Sequence, residues 1–192
     1  MAHRASPLVQ TALFAKNFLR HPLMLGSFIP SSRFLIRTLL EEVDFGRARV
    51  IVEYGPGVGT FTHEILARMR PDAILVALET NREFVHFLRR STTDPRMHVV
   101  HGSAAAVRRA LLAHGVAQAD FVISGIPFST LPALEREAVV RATHAVLQPH
   151  GAFLVYQFSP MVLANLRAVF SHVRRGFQPL NMPPAQLFYC TP

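Results

Sequence analysis

Glu53 and Glu79 are the residues whose type and spacing point most directly at chemistry. From Val50 to Thr60 an apolar strand runs into a glycine turn, with Glu53 two positions before Gly55; Glu79 ends the next apolar strand, Ala73 to Leu78. Glycine at 55, 57 and 59 lets the backbone turn tightly and come close to a ligand, because a Cβ would collide with that ligand or block a positive φ. An acidic side chain at the tip of the following strand is placed to accept hydrogen bonds from a ribose diol. The pair predicts an adenosine-containing cofactor.

The spacing narrows the choice of cofactor. The turn reads G-x-G-x-G, whereas the dinucleotide fingerprint is G-x-G-x-x-G, and its third glycine falls here on Thr60. Glu53 would also set a carboxylate beside the space a pyrophosphate must fill, which favours a cofactor carrying an ammonium or sulfonium there. S-adenosylmethionine meets that demand better than NAD. A second cluster, Ser124-Gly125-Ile126-Pro127-Phe128, falls directly after the fourth strand, at the edge where open parallel sheets bind ligands. Its backbone carbonyls could accept hydrogen bonds from an amine substrate, although a plain turn uses Gly and Pro as well.

The elements that must position these residues alternate. Helices are expected at Phe61 to Met69, Asn81 to Arg90, Val107 to His114 and Leu134 to Leu147. Strands are expected at Met97 to Val100, Phe121 to Ile123 and Ala152 to Phe158. Such alternation means right-handed crossovers and a parallel α/β sheet covered on both faces. From Met161 onward a short helix and two weaker strands, Val173 to Phe177 and Leu187 to Cys190, complete the chain. Ahead of the sheet, Ser32 can cap a helix from Arg33 to Glu42. Leu8 to Arg20 can form a helix with Phe14, Phe18 and Leu19 on a broad apolar side and Lys16, Asn17 and Arg20 largely opposite. It reads either as a helix packed over the sheet or the cofactor, or as one lying in a membrane interface. The expected organisation is an N-terminal helical segment, residues 1–45, and a catalytic domain, residues 46–192.

Composition sets the outer bounds. Half of the 192 residues are apolar and 17% are charged, which excludes a disordered chain. The formal net charge of +8 favours anionic partners, nucleic acid or an acidic membrane surface. One cysteine, no signal-like stretch and no run of about 20 apolar residues predict a cytoplasmic location with peripheral membrane contact allowed. Ten histidines form no metal spacing with the lone Cys190, so no metal is expected, and His63 is expected at the surface. Arg108 and Arg109, like Arg174 and Arg175, read as lipid-phosphate ligands or as ordinary solvated pairs.

The sequence resembles the bacterial phospholipid N-methyltransferases, which convert phosphatidylethanolamine to phosphatidylcholine with S-adenosylmethionine. The resemblance rests on Val-Glu-x-Gly-x-Gly-x-Gly at 52 to 59, Leu-Glu-x-Asn at 78 to 81 and Ser-Gly-Ile-Pro-Phe at 124 to 128. It extends to the N-terminal segment from Phe18 to Ser32 and to Asn181-x-Pro183-Pro184-Ala185. It implies a Rossmann-like class I methyltransferase fold with a largely parallel seven-stranded sheet and an N-terminal helical extension. It also implies a phospholipid substrate, S-adenosylhomocysteine as product, and membrane attachment through residues 8–20.

By the same resemblance, Glu53, Tyr54, Gly55, Gly57, Gly59 and Thr60 hold the methionine end, and Glu79 with Thr80 meets the ribose. Gly102, Ser103 and Ala104 flank the adenine; family members often carry Asp where this chain has Ser103. Ser124 and Gly125 line the methyl group. Tyr156 is a candidate catalytic residue, although a strand tyrosine is also an ordinary core residue. The expected reaction is in-line attack of a neutral primary amine on the sulfonium methyl, with Tyr156, Tyr54, the Ser124 carbonyl through water, or solvent as proton acceptor. The competing family, the rRNA adenine dimethyltransferases, has Asn where this chain has Gly125 and carries a separate C-terminal helical domain, which is not expected here.

Overall fold

The computed structural model describes residues 31–192. A helix, α1 (Arg33–Leu40), precedes β1 (Val50–Tyr54), α2 (Thr60–Arg68), β2 (Ile74–Glu79), α3 (Arg82–Ser91) and β3 (Met97–His101). Then come α4 (Val107–Ala113), β4 (Ala119–Ser124), α5 (Ala133–Val146), β5 (Leu147–Gln157), α6 (Leu163–Arg167), β6 (His172–Gln178) and β7 (Ala185–Thr191). The expected elements from Arg33 onward are all present; the expected helix at residues 8–20 lies outside the described residues.

One seven-stranded sheet has the order β3-β2-β1-β4-β5-β7-β6. The pairings from β3 through β5 are parallel, and β7 runs antiparallel to both β5 and β6. The chain leaves β1 toward one edge and returns to β4 on its other side. The carboxyl ends of β1 and β4 thus form the topological switch point, where a crevice opens. β5 begins five residues before the expected Ala152. Leu147 already pairs with Ala119, and a bulge takes up the extra residues before Ala152 pairs with Phe121. Gly151 sits in that bulge because a Cβ there would come within 2.7 Å of the Asp120 carbonyl oxygen.

Alternation along the strands feeds two cores. Val52, Val76, Val122 and Val155 pack with Val107 and Leu111 of α4, Val139 and Val140 of α5, and Leu166 of α6. On the other face Ile51, Leu75, Ile123 and Leu154 pack with Leu35 and Leu39 of α1 and Phe61 and Ile65 of α2. The boundary expected at residue 45 therefore falls between two elements, α1 and β1, that share one core.

Polar side chains fix the ends of these elements. Ser32 Oγ accepts from Leu35 N at 3.1 Å to cap α1, and Asn81 Oδ1 accepts from Glu83 N at 2.8 Å to cap α3. Asp120 Oδ2 accepts from both Arg49 N and Val50 N, at 2.8 and 2.9 Å, and so ties the start of β1 to β4. Arg96 does the equivalent for the end of α2. Its guanidinium donates to the carbonyls of Leu66, Met69 and Arg70 at 2.8, 2.9 and 3.2 Å while Asp94 holds it from behind. Arg96→Ala should leave those carbonyls without their donor and lower stability by about 2 kcal/mol, read as a reduced urea midpoint with an unchanged slope.

Candidate active site

The glycine turn builds one wall of a cavity at the carboxyl ends of β1, β2 and β4. Gly55, Gly57 and Gly59 all have positive φ, at 66°, 57° and 84°. Among the described residues, a Cβ built on Gly57 meets nothing within 4 Å, so that α-carbon faces the cavity. Gly59 serves packing instead. It precedes the first turn of α2, and a Cβ there would stand 2.9 Å from Leu88 Cδ2 of α3. It is not among the cavity-lining residues, unlike Gly55, Gly57 and Thr60.

Both carboxylates reach the cavity. Glu53, 3% exposed, accepts from Thr62 Oγ1 at 2.7 Å; burial pushes its carboxyl up to about 7 against that hydrogen bond, and the nearby Glu79 adds to the rise. Glu79, also buried, accepts from Gly57 N at 3.1 Å and Asn81 N at 2.8 Å. Burial raises its carboxyl too, and the backbone donors oppose it. Thr80 and Asn81 continue the wall.

Tyr54, also expected at the methionine end, turns its side chain another way. Being adjacent to Glu53 on a strand, it points to the opposite face, where it is fully buried, meets Phe153 edge to face, and lies 3.1 Å from Thr143 Oγ1 through its hydroxyl. Burial raises its phenol far above the ordinary range. It neither lines the cavity nor is available as a proton acceptor.

The opposite wall is the segment after β4. Gly125 N donates to the Tyr54 carbonyl at 3.0 Å, and Gln157 braces the rest. The Gln157 amide accepts from Phe128 N at 3.0 Å and donates to the Ile126 carbonyl at 2.7 Å. The Ile126 carbonyl is thereby engaged by the protein itself. Ser124 is fully buried, its Oγ has no hydrogen-bond partner among the described residues, and its side chain is not among those lining the cavity. Gly125 does line it, and a Cβ there would stand 2.9 Å from Tyr156 Cζ and closer still to the hydroxyl. The Tyr156 phenol thus occupies the space that any larger residue at 125 would need. Its ring stacks on Phe61 with centroids 5.1 Å apart. Burial, offset by a Ser31 hydrogen bond and reinforced by Glu53, pushes its hydroxyl up to about 12. At neutral pH Tyr156 is a phenol, not a base.

At the third corner, Gly102, Ser103 and Ala104 follow β3 and line the cavity. Ser103 Oγ accepts from Ala105 N at 3.3 Å and donates to Glu135 Oε1 of α5 at 3.5 Å. Glu135, which also lines the cavity, places a carboxylate beside a position where the sequence carries none. Sequence reading missed it and Gln157 alike, since each contacts the site across about 30 positions of chain. Asn81 carried a local signal, a capping residue directly after Glu79.

Among the described residues no group of three or more His, Cys, Asp or Glu is placed to hold a metal ion. His63 is half-buried on α2, not at the surface as expected. Arg174 pairs with Glu42 at 2.6 Å and lies 4.0 Å over the Tyr189 ring, while Arg175 donates to Gln186 Oε1 at 3.3 Å. Arg108 and Arg109 are exposed on α4.

The raised Glu53 carboxyl has a thermodynamic signature. Between its ordinary value of 4.5 and about 7 the folded state holds a proton that the unfolded chain has released. Stability should therefore fall as pH rises through that window and level off above it. Glu53→Gln removes the charge, so its melting temperature should gain on that of the natural chain from pH 5 to pH 7.5, as measured by thermal unfolding at closely spaced pH values.

Comparison with known proteins agrees with this geometry. Residues 51–151 match the family model of the methyltransferase domain. Over 180 residues the chain is 34% identical to an ornithine lipid N-methyltransferase of Singulisphaera acidiphila, covering 93% of this chain and 94% of that protein. Among solved structures, human methyltransferase-like protein 13 in complex with S-adenosylhomocysteine superposes with a TM-score of 0.61 at 18% identity, covering 90% of this chain and 81% of that one. A methyltransferase from Geobacter sulfurreducens superposes with a TM-score of 0.64 at 14% identity, covering 97% and 91%. The chain belongs to the class I S-adenosylmethionine-dependent methyltransferases, in the family that includes the ornithine lipid N-methyltransferase.

Proposed function

We propose that this methyltransferase transfers its methyl group to the primary amine of a membrane lipid, with phosphatidylethanolamine as acceptor and its mono- and dimethyl derivatives as further acceptors toward phosphatidylcholine. The near full-length similarity to a lipid N-methyltransferase carries the lipid reading. That relative's name also favours a second acceptor, an ornithine lipid.

The residues of the cavity fit S-adenosylmethionine. Two buried carboxylates face it, and a Cβ on Gly57 or Gly102 would meet none of the described residues within 4 Å, leaving room for close backbone approach. Glu53 would hold the cationic methionine end and Glu79 the ribose hydroxyls. Glu135 would accept from the adenine amine, in place of the Asp that the chain lacks at 103. When bound, the cofactor supplies a methyl group on a sulfonium, which a neutral amine takes up with loss of the positive charge on sulfur.

For the acceptor, Gly125 and Tyr156 shape a narrow slot. The phenol oxygen of Tyr156 can accept a hydrogen bond from the amine and orient its lone pair; a phenol held near 12 leaves the proton of the ammonium to another acceptor. The same contact weighs against an RNA adenine substrate of the dimethyltransferase kind. An asparagine side chain at 125 would collide with Tyr156. The expected attachment through residues 8–20 lies outside the described residues, and no helix among those described is long and apolar enough to cross a membrane. We place the enzyme at the cytoplasmic membrane surface because its proposed substrate is a lipid.

Glu135→Ala should weaken S-adenosylmethionine binding about tenfold by calorimetry, whereas undiminished affinity would remove it from the adenine site. Labelled S-adenosylmethionine, offered in parallel to vesicles of phosphatidylethanolamine with an anionic lipid, to vesicles containing ornithine lipid, and to unmodified ribosomal RNA, should label lipid. Label confined to RNA would overturn the reading. In the lipid reaction, Tyr156→Phe should lower kcat severalfold with cofactor affinity retained.

A further inference from the structure

The β6–β7 connection inverts the usual arrangement of a surface loop. Its polar side chains point inward: Gln178 and Asn181 are 9% and 7% exposed. Its apolar ones point outward, with Leu180 60% and Met182 78% exposed. A loop facing only water has the opposite preference. The inward groups are fully engaged in clamping. Asn181 Oδ1 accepts from Ser32 N at 2.9 Å and its amide donates to the Pro183 carbonyl at 2.8 Å. Gln178 donates to Thr38 Oγ1 at 2.9 Å and accepts from Leu180 N at 3.0 Å. The two exposed apolar side chains are therefore presented on a braced loop.

That loop stands at the same edge as the active site. Gln178 pairs with Ala185 of β7, and its neighbour Gln186 pairs with Gln157, at the carboxyl end of β5 next to Tyr156. Ser32, bonded to Asn181, adjoins Ser31, which lines the cavity. Phe34, 40% exposed at the start of α1, stands next to this loop, its carbonyl accepting from Gln178 at 3.4 Å, with the Arg33 guanidinium 4.9 Å over its ring. Exposed Arg33 adds positive charge of the sign an anionic leaflet attracts, while Arg37 is paired with Glu41 at 2.8 Å.

We propose that Leu180 and Met182, with Phe34 beside them, enter the lipid interface and seat the mouth of the cavity on the membrane that carries the substrate. This inference rests on the lipid reading above. A lipid amine lies within one headgroup of the bilayer surface, so the cavity mouth must come to that surface, and residues around the mouth must tolerate it. Apolar side chains buried about 5–10 Å into the headgroup region, flanked by arginines, are what such a surface accommodates.

The chain has no tryptophan, so Met182→Trp introduces a single reporter. On vesicles of phosphatidylethanolamine and an anionic lipid its emission should shift to the blue and be quenched by acyl-brominated lipid. Leu180→Asp/Met182→Asp should need at least tenfold more lipid for half-maximal vesicle binding. Its cofactor affinity, and its rate on a monomeric short-chain phosphatidylethanolamine, should match those of the natural chain; Leu180→Ser/Met182→Ser serves if the charged variant loses cofactor affinity. Unshifted emission on vesicles that the enzyme binds and methylates, or vesicle affinity within twofold for the double variant, would overturn the proposal while leaving the lipid reading intact. A blue shift that grows with protein concentration and needs no vesicles would assign the patch to a second copy of the chain. A natural chain that neither binds nor methylates vesicles would bring down the lipid reading, and this proposal with it.

Discussion

The parallel pairing of β1 with β4 at the centre of the sheet is the constraint on which the rest depends. With β2 and β3 laid out on one side and β5 on the other, the chains leaving β1 and β4 must turn away from each other. The space between them cannot be filled by either connection. The bond from Gly125 N to the Tyr54 carbonyl continues the ladder to the lip of that space. Glu53, Glu79, Gly125 and Tyr156, which all face the cavity, stand at or just past a strand's carboxyl end, while Phe84 of α3 and Glu135 of α5 reach it from flanking helices. The two cores, one on each sheet face, hold those ends in register.

Within that crevice the electrostatics are unusual for an enclosed space. Two carboxylates are nearly excluded from water, and one of them is held near neutrality by the cost of its burial. A site preformed for a cation can carry such a cost, because the ligand compensates what the empty protein lacks. Glu79 accepts from the backbone donors of Gly57 and Asn81, which oppose the rise that burial gives its carboxyl.

Much of this was legible in the sequence, for reasons that are local. Strand and helix periods, the caps at Ser32 and Asn81, and the glycine turn each depend on neighbours within a few positions. What was not legible depends on direction and distance. The sequence places Tyr54 beside Glu53, but the strand's alternation turns it toward Thr143, away from the ligand. Gly59 reads like its two companions, yet its lost Cβ makes way for Leu88. Arg96, Glu135 and Gln157 look like ordinary surface residues until the crossovers bring them to the end of α2, to Ser103 and to the Ile126 carbonyl.

Tyr156 and Gln157 are consecutive on β5, so their side chains leave the strand on opposite sides, yet both bear on the segment that carries Gly125. One strand therefore sets both where that segment lies and how much room is left above it. Positions 125 and 156 cannot vary independently. A side chain at 125 would need the space that the phenol at 156 fills, so it requires either a shift of that ring or a smaller residue at 156. The width of the cavity at this lip is thus written in a pair of positions, and a change at either alone crowds the space or widens it.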